Sequence, residues 1–305
     1  MTEPDVSIIT AAYNAEKYIA ETIESVRNQT FSNWEYIIVD NNSKDRSVEI
    51  INKYLTDDRI KLYQEEKQGR CYTRNKAFLY ASGKYVANLD ADDLWHPSKL
   101  EKQVKIMEQD DSIGLVYTGF NTIDGCGKIL QTHIPDDLGN NPLKFILTVK
   151  NPIVHSSVIS RRSAFFDDKY QDEEIKDADE LMVYFKVLSK CNKAYLLKEP
   201  LTSYRVHHDS GIHSVSLENF MREYKKGIEK FFKQKEISND FIKFKKKAFG
   251  TMYYSVASIG ISQNKSLKLA LVYLLKSMVL RPNKIHFCIY KFLKLLINWI
   301  NYKSH

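Results

Sequence analysis

The chain is poor in cysteine. Cys71, Cys126, Cys191 and Cys288 are scattered over 305 residues with no Cys-x-x-Cys pair. Neither a disulfide framework nor a zinc site of closely spaced thiolates is expected, and a reducing cytosol fits. Long apolar runs are missing too: the stretch from Lys284 to Lys303 is interrupted by Lys291, Lys294, Asn298 and Asn301. That falls far short of the roughly 18 apolar residues in a row that mark a membrane-spanning helix. The start, MTEPDVSIIT, has neither a basic opening nor an apolar run, so no signal peptide or targeting segment is expected. Gly69 and Gly83 make no glycine-rich phosphate loop, which removes a nicotinamide-dinucleotide fingerprint. His155-Ser156-Ser157 sets a histidine beside serines without a nucleophile elbow. No nucleic-acid-binding module, internal repeat or low-complexity tract is recognisable, so nucleic acid is not an expected partner.

What is present is an ordinary globular composition, 43% hydrophobic and 27% charged. The net charge of +7 hides an asymmetry. Residues 1–217 hold 27 Lys+Arg and 33 Asp+Glu, a net of −6, whereas residues 218–305 hold 18 and 5, a net of +13. A basic tail on a mildly acidic body points to an anionic surface or polymer as partner.

Short β-rich runs at Val6–Thr10, Tyr36–Val39, Ile60–Tyr63 and Tyr85–Leu89 alternate with helical spacings over 15–29, 44–55 and 73–81. This is the pattern of βαβ units and a mostly parallel sheet. Asp40 and Asp90 both follow the carboxyl ends of strands, where such sheets bind ligands. Beyond Pro97, strands are expected at 115–117, 154–160 and 194–197, a helix at 178–189, and a long mobile loop at 125–142. From about Glu218 onward the chain reads as helices, broken near Asn264 and at Pro282.

Leu89-Asp90-Ala91-Asp92-Asp93 crowds three carboxylates at one strand end. Like charges so close raise one another's pKa unless a cation neutralises them. Mg²⁺ or Mn²⁺, bound by one or two carboxylates plus substrate phosphates, would do so. The alternative is an acidic surface turn or helix cap before Trp95–Leu100.

Three stretches together carry a resemblance: VSIITAAYNAEKYIAETIESVRNQTFSNWEYIIVDNNSKDRS (6–47), GRCYTRNKAFLYASGKYVANLDADDLWHPSKL (69–100) and, more weakly, PLTSYRVHHDS (200–210). Over roughly residues 5–210 the chain resembles the family 2 glycosyltransferases, inverting enzymes of bacterial surface-glycan type with the α/β fold called GT-A. The resemblance implies a catalytic domain over 1–217, with a nucleotide-sugar-binding half (1–100) and an acceptor-binding half (101–217), followed by a basic helical extension over 218–305. It implies that Ala12 and Tyr13 lie against the base and that Asp40 hydrogen-bonds it. Arg70 or Arg74 would contact the nucleotide, with an internal salt bridge to the aspartates as the alternative for Arg74. Asp90 would sit nearer the ribose, Asp92 would ligate the metal directly with Asp90 beside it in the metal site, Arg205 would clamp a phosphate, and His207 would ligate the metal or touch the diphosphate. His208 and His213 would decorate a loop.

The family's catalytic base opens a helix in a Glu-Asp pair. An ungapped alignment places that pair on Asp179-Glu180, in reversed order: by register Glu180 is the base, by residue type Asp179, with Asp177 a third candidate and helix-dipole acids the alternative. Tyr184 and Lys186 take the places of the family's aromatic and Arg on this helix. The expected partners are a nucleotide-sugar, UDP-linked, and a glycan or lipid-linked acceptor. For the tail, basic residues beside Phe292 and Trp299 suit a helix lying on an anionic membrane, which would place the enzyme in the cytoplasm at the inner face of the cell membrane. The alternatives are a last helix packed on the body and, for the whole chain, a non-catalytic nucleotide- or glycan-binding protein.

Overall fold

The computed structural model describes residues 3–165, 169–175, 179–207, 216–234, 237, 239–262, 266–286, 288–290 and 292–293. Asp177, His208, His213 and Trp299 lie outside the described residues, as does the side chain of Asp179. The chain divides into two compact units: Met1–Leu143 with Pro152–His207, and Lys144–Asn151 with His208–His305. The expected boundary at 217 therefore moves back to 207, and the segment 144–151 joins the C-terminal unit.

In the first unit β1 (Val6–Ala12), β2 (Trp34–Asp40), β3 (Ile60–Gln64) and β4 (Tyr85–Asn88) alternate with α1 (Ile19–Arg27), α2 (Ser47–Asn52) and α3 (Arg70–Leu79). There follow β5 (Leu94–Trp95), α4 (Lys99–Gln109), β6 (Leu115–Ile123), β7 (Ile129–His133), β8 (Ile159–Arg161), α6 (Asp179–Lys190) and β9 (Ala194–Arg205); α5 (Pro142–Thr148), between β7 and β8 in sequence, belongs from Lys144 onward to the second unit. The sheet order is β3-β2-β1-β4-β8-β6-β9-β5, with β7 paired to β6. All seven residues of β2 are buried, as befits a parallel strand covered on both faces.

β1, β2, β3 and β4 pair in parallel, and so do β6 and β9. β8 runs antiparallel to both β4 and β6, so those two point the same way. Only β5, β7 and β8 run against the rest. The ends at Ala12, Asp40, Asn88, Ile123 and Arg205 consequently share one edge of the sheet, the edge at which open α/β sheets hold ligands.

The opposite edge is tied by a buried carboxylate. Glu35 accepts from Ser7 Oγ (2.7 Å), Ser82 N (2.8 Å), Ser82 Oγ (2.7 Å) and Lys61 Nζ (2.9 Å). Burial alone would raise its pKa, but these bonds outweigh burial and hold it below the ordinary value. The adjoining turn needs glycine: a Cβ on Gly83 would come within 2.6 Å of Ser7 N.

Three expectations change. The loop at 125–142 contains strand β7, because Asp124 Oδ1 accepts from Cys126 N (2.9 Å) and Lys128 N (3.0 Å) and closes a turn that returns the chain against β6. The strand expected at 154–160 shrinks to β8, preceded by a 3₁₀ turn at His155–Ser157. β9 extends from the expected 194–197 to Arg205, so the Tyr-Arg-x-His motif begins on the strand itself.

The second unit is helical. α7 (Leu217–Phe231), α8 (Asn239–Ile242), α9 (Lys245–Ser262) and α10 (Leu267–Leu280) follow in order. Ser216 Oγ accepts from Asn219 N (3.2 Å) and Ser266 Oγ from Leu269 N (3.3 Å), each capping a helix start. α10 ends just before Pro282, where the sequence predicts a break. Among the described residues no helix is long and apolar enough to cross a membrane.

Candidate active site

The loops at the shared edge are pinned to one another by asparagines. Asn41 N donates to Ala12 O (2.9 Å). Asn41 Nδ2 reaches Glu65 O (2.8 Å) and Lys67 O (3.0 Å), while its Oδ1 accepts from Gly69 N (2.7 Å). One residue thus ties the end of β1, through its backbone, to the approach to α3, through its side chain, where Gly69 takes a φ of 138° that L side chains rarely adopt. Asn14, itself at positive φ, exchanges bonds with Ser43 Oγ (2.9 Å) and Lys44 N (2.8 Å). Sequence reasoning passed over both. Their signal was Asn within two residues of a strand end, a residue that tolerates left-handed backbone and hydrogen-bonds locally.

Inside this frame Asp40 is 2% exposed. Its Oδ2 accepts from Ser43 N (3.1 Å), whereas Oδ1 is buried and has no hydrogen-bond partner among the described residues. A buried unpaired acceptor is costly and marks a place where a ligand donor belongs. Tyr13 is 52% exposed at the same strand end, while Ala12 is wholly buried and presents no side-chain surface there.

The three aspartates after β4 have three separate environments. Arg74, 2% exposed, donates from Nη2 to Asp90 Oδ1 (2.7 Å). Burial alone would push the Asp90 carboxyl up, but the Arg74 guanidinium outweighs it and the net pKa lies below the usual value. Asp92 Oδ2 meets His207 Nε2 at 2.9 Å. Burial and the charge of Asp90 raise the Asp92 pKa, with His207 opposing. Asp93 turns inward: Ser156 Oγ donates to its Oδ2 (2.5 Å) and Arg205 N to its Oδ1 (2.9 Å). Its pKa is raised well above normal, by burial first and then by Asp92 and Asp90. Ser156 Oγ also accepts from Asp90 N (3.1 Å), so a single hydroxyl sets the relative positions of the first and third acids.

Glu180, on the first turn of α6, lies with Oε1 3.6 Å from Arg74 Nη2. Arg74 therefore spans Asp90 and the base candidate. Asn75, next to it, donates to Gln171 O (3.0 Å) and accepts from Gln171 N (2.7 Å), holding the segment ahead of α6. Tyr184, one turn along α6, pairs through its hydroxyl with His155 Nδ1 at 2.9 Å. Burial, then the charge of Arg74, keeps the His155 pKa well below its ordinary value. The Tyr204 hydroxyl is pushed up by burial and by the charges of Asp93, Asp90, Glu180 and Asp92.

Some expected roles are revised. Arg74 is buried in the internal salt bridge, not presented to a nucleotide. Arg205, 1% exposed, donates from Nε to Asp92 O (2.8 Å), from Nη1 to Asp124 O (3.3 Å) and Gly125 O (3.1 Å), and from Nη2 to Glu21 Oε2 (2.7 Å). Its fork is spent on protein acceptors, so it shapes the aspartate turn and leaves no free donor pair for a phosphate. Tyr18 packs beneath it, 4.5 Å from the guanidinium and 5.0 Å from the His207 ring, a support the sequence did not reveal. His155 and Ser156 point to different partners and form no nucleophile–base pair. Arg70 is exposed at the start of α3, and its charge reaches Asp90.

The chain matches the model of glycosyl transferase family 2 over residues 7–172. It is 36% identical over 214 residues to the putative teichuronic acid biosynthesis glycosyltransferase TuaG of Bacillus subtilis, covering 68% of this chain and 81% of that one. Among solved structures it is similar to S. aureus TarS 1–349 in complex with UDP-GlcNAc, with a TM-score of 0.64, 19% identity, and coverage of 95% of this chain and 92% of that one. The mannosyltransferase PcManGT of Pyrobaculum calidifontis, in complex with GDP-Man and Mn²⁺, aligns with a TM-score of 0.60, 17% identity, and coverage of 97% and 88%. At these identities the structural likeness concerns the fold, which is of the GT-A type.

Proposed function

The chain belongs to glycosyl transferase family 2, and from that premise we propose an inverting, metal-dependent enzyme that moves a hexosyl or N-acetylhexosaminyl unit from a UDP-sugar to an acceptor hydroxyl. The observation that carries this reading is Arg74. It joins Asp90, 2.7 Å away, to Glu180, 3.6 Å away, so that the donor carboxylates and the base stand in one site although they lie far apart in sequence.

In this reading the base of the nucleotide stacks near Tyr13 and gives its N–H to Asp40 Oδ1, the buried acceptor that lacks a partner. Uracil N3–H suits that acceptor-only oxygen. Arg70 approaches the nucleotide from the exposed start of α3, and Asp90, held by Arg74, faces the ribose. Among the described residues no group of three or more His, Cys, Asp or Glu is arranged to hold a metal. Asp92 and His207, side by side at 2.9 Å, fit a divalent ion shared with the donor's diphosphate, which is how Mg²⁺ and Mn²⁺ bind with few protein ligands. Such an ion supplies positive charge against the departing diphosphate.

Glu180 takes the acceptor's proton as the hydroxyl attacks the anomeric carbon from the face opposite the nucleotide, and the configuration inverts. Arg74, 3.6 Å from Glu180, positions it on the first turn of α6. The acceptor is a surface glycan, lipid-linked and presented at the inner face of the cell membrane, in keeping with the basic C-terminal unit.

The test is release of nucleoside diphosphate from UDP-sugars by the purified chain, with and without a chelator. Turnover that survives excess chelator removes the metal. Binding of UDP without any turnover, with acceptor or water, favours the non-catalytic nucleotide-binding reading instead.

A further inference from the structure

The C-terminal unit leaves one face of α10 uncovered among the described residues. Ala270, Tyr273, Leu274 and Ser277 are buried, and Ser277 Oγ donates to Gly250 O (2.8 Å), tying this side to α9. The other side carries Lys268, Val272, Leu275, Lys276 and Val279, all exposed. Their spacings of four, three, one and three residues put them on one helix face, over about 16 Å at 1.5 Å per residue. Val272, Leu275 and Val279 are 39%, 62% and 74% exposed. The pattern continues beyond the helix: of the 18 large hydrophobics exposed among the described residues, 8 fall between Val272 and Leu293. So dense a cluster marks an interaction surface, not scattered apolar residues.

Charge selects the occupant. From Phe241 to the last residue the chain holds 12 Lys+Arg and no Asp or Glu. A second copy would bring the same positive charge to the same aliphatic face, and the two would repel. An anionic bilayer supplies what both residue types need, phosphate for the lysines and acyl chains for the aliphatics.

We propose that the exposed face of α10 is a membrane-docking surface, with Val272, Leu275 and Val279 entering the headgroup layer of an anionic leaflet and Lys268 and Lys276 pairing with lipid phosphates. This deepens the membrane partner proposed above and moves its centre from the segment 284–305 onto α10. Donor chemistry is independent of it, because every donor contact proposed lies in the first unit.

The experiment is flotation of the full chain with phosphatidylglycerol–phosphatidylcholine vesicles and with phosphatidylcholine vesicles, at low and high salt. Wild type should bind the first and not the second. Val272→Gln/Leu275→Gln/Val279→Gln should weaken binding about tenfold or more at either salt, since burial of aliphatics is not screened. Lys268→Gln/Lys276→Gln should weaken it roughly fivefold per lysine at low salt, with the loss fading at high salt. Both variants alter only exposed side chains, and unchanged donor turnover and circular dichroism would show that they remain folded. Wild-type binding by either variant overturns the proposal. So does equal binding of wild type to both vesicle types, or a wild-type dimer that the triple variant disperses, which would assign the face to a second copy. Failure of the transferase reading would look different: no donor turnover in wild type, whatever the vesicles show.

Discussion

The two units handle charge in opposite ways. In the first, Arg74, Arg205, Asp93 and Glu35 are buried, and each is matched by named partners at hydrogen-bond distance. In the second, the charge after Phe241 is of one sign, and exposed lysines sit beside exposed aliphatics. A buried charge is tolerated only with partners, so each one dictates the position of another element. That is how a chemical site acquires fixed geometry. Unmatched surface charge fixes nothing internally and acts outward, at the range of the Debye length. The contrast predicts that substitutions in the first unit act on chemistry or stability, and those in the second on location.

The sharpest case is Asp92→Asn. It should cut diphosphate release about 10³-fold or more, because in the proposed site it would remove a charged ligand of the ion that opposes the leaving group, while the melting temperature stays at or above that of wild type. The last point follows from its environment: Asp92 is squeezed by burial and Asp90, so neutralising it relieves repulsion. Normal turnover in this variant would break the assignment.

Glu180→Gln comes next. The chemical step should slow on the order of 10²–10⁴-fold, as expected for a lost general base, with the KM for donor nearly unchanged if Glu180 serves the acceptor, as proposed. A rise in KM without loss of kcat would make it a donor contact instead.

How far the sequence foretold this site differs from residue to residue. The alternating strands and helices up to Tyr85 were legible because each strand is a short β-rich run and the segments between them have apolar residues at helical spacing. Asp40, Asp90 and Asp92 were legible because a strand end is a place defined by local pattern. Arg205 was not: its motif suggested a phosphate clamp, but its four acceptors come from α1, the aspartate turn and the β6–β7 turn, and such convergence leaves no trace in spacing. Arg74 was half legible. The sequence offered both a nucleotide contact and an internal bridge, and burial decided between them. β7 was hidden because the turn residues around Asp124 resemble a loop until the returning strand finds β6.

Two buried charges of the first unit predict smaller, opposite effects on stability. Glu35→Gln should cost about 1–3 kcal/mol at neutral pH, by loss of charge-assisted bonds. Its folded pKa lies below the unfolded one, so the stabilisation exists above the unfolded value and vanishes as pH falls through the folded value. Urea denaturation of wild type and variant should converge on acidification; a pH-independent difference would mean that packing, not charge, is what Glu35 supplies.

Lys99 is the exception that tests the rule. It is fully buried; among the described residues its partners are Gln103 Oε1 at 2.8 Å and the Trp95 ring at 3.9 Å, and burial pushes its pKa well down. Lys99→Met should leave stability unchanged or raise it by about 1 kcal/mol near neutral pH. The gain should shrink as pH rises towards the unfolded lysine value, where the penalty on the native lysine disappears. A large loss would show that the ammonium has a partner role that the geometry does not reveal.

The central claim is that the shared strand-end edge of the first unit is a nucleotide site built around an acceptor kept waiting. Calorimetric titration of UDP with Mn²⁺ into wild type and Asp40→Ala tests it directly, because Asp40 Oδ1 is buried without a partner among the described residues. Wild type should bind, and Asp40→Ala should lose about tenfold to a hundredfold in affinity, the loss of a hydrogen bond to a charged acceptor, with its fold intact by circular dichroism. Equal affinity in the two proteins, or no binding by wild type, would contradict the account.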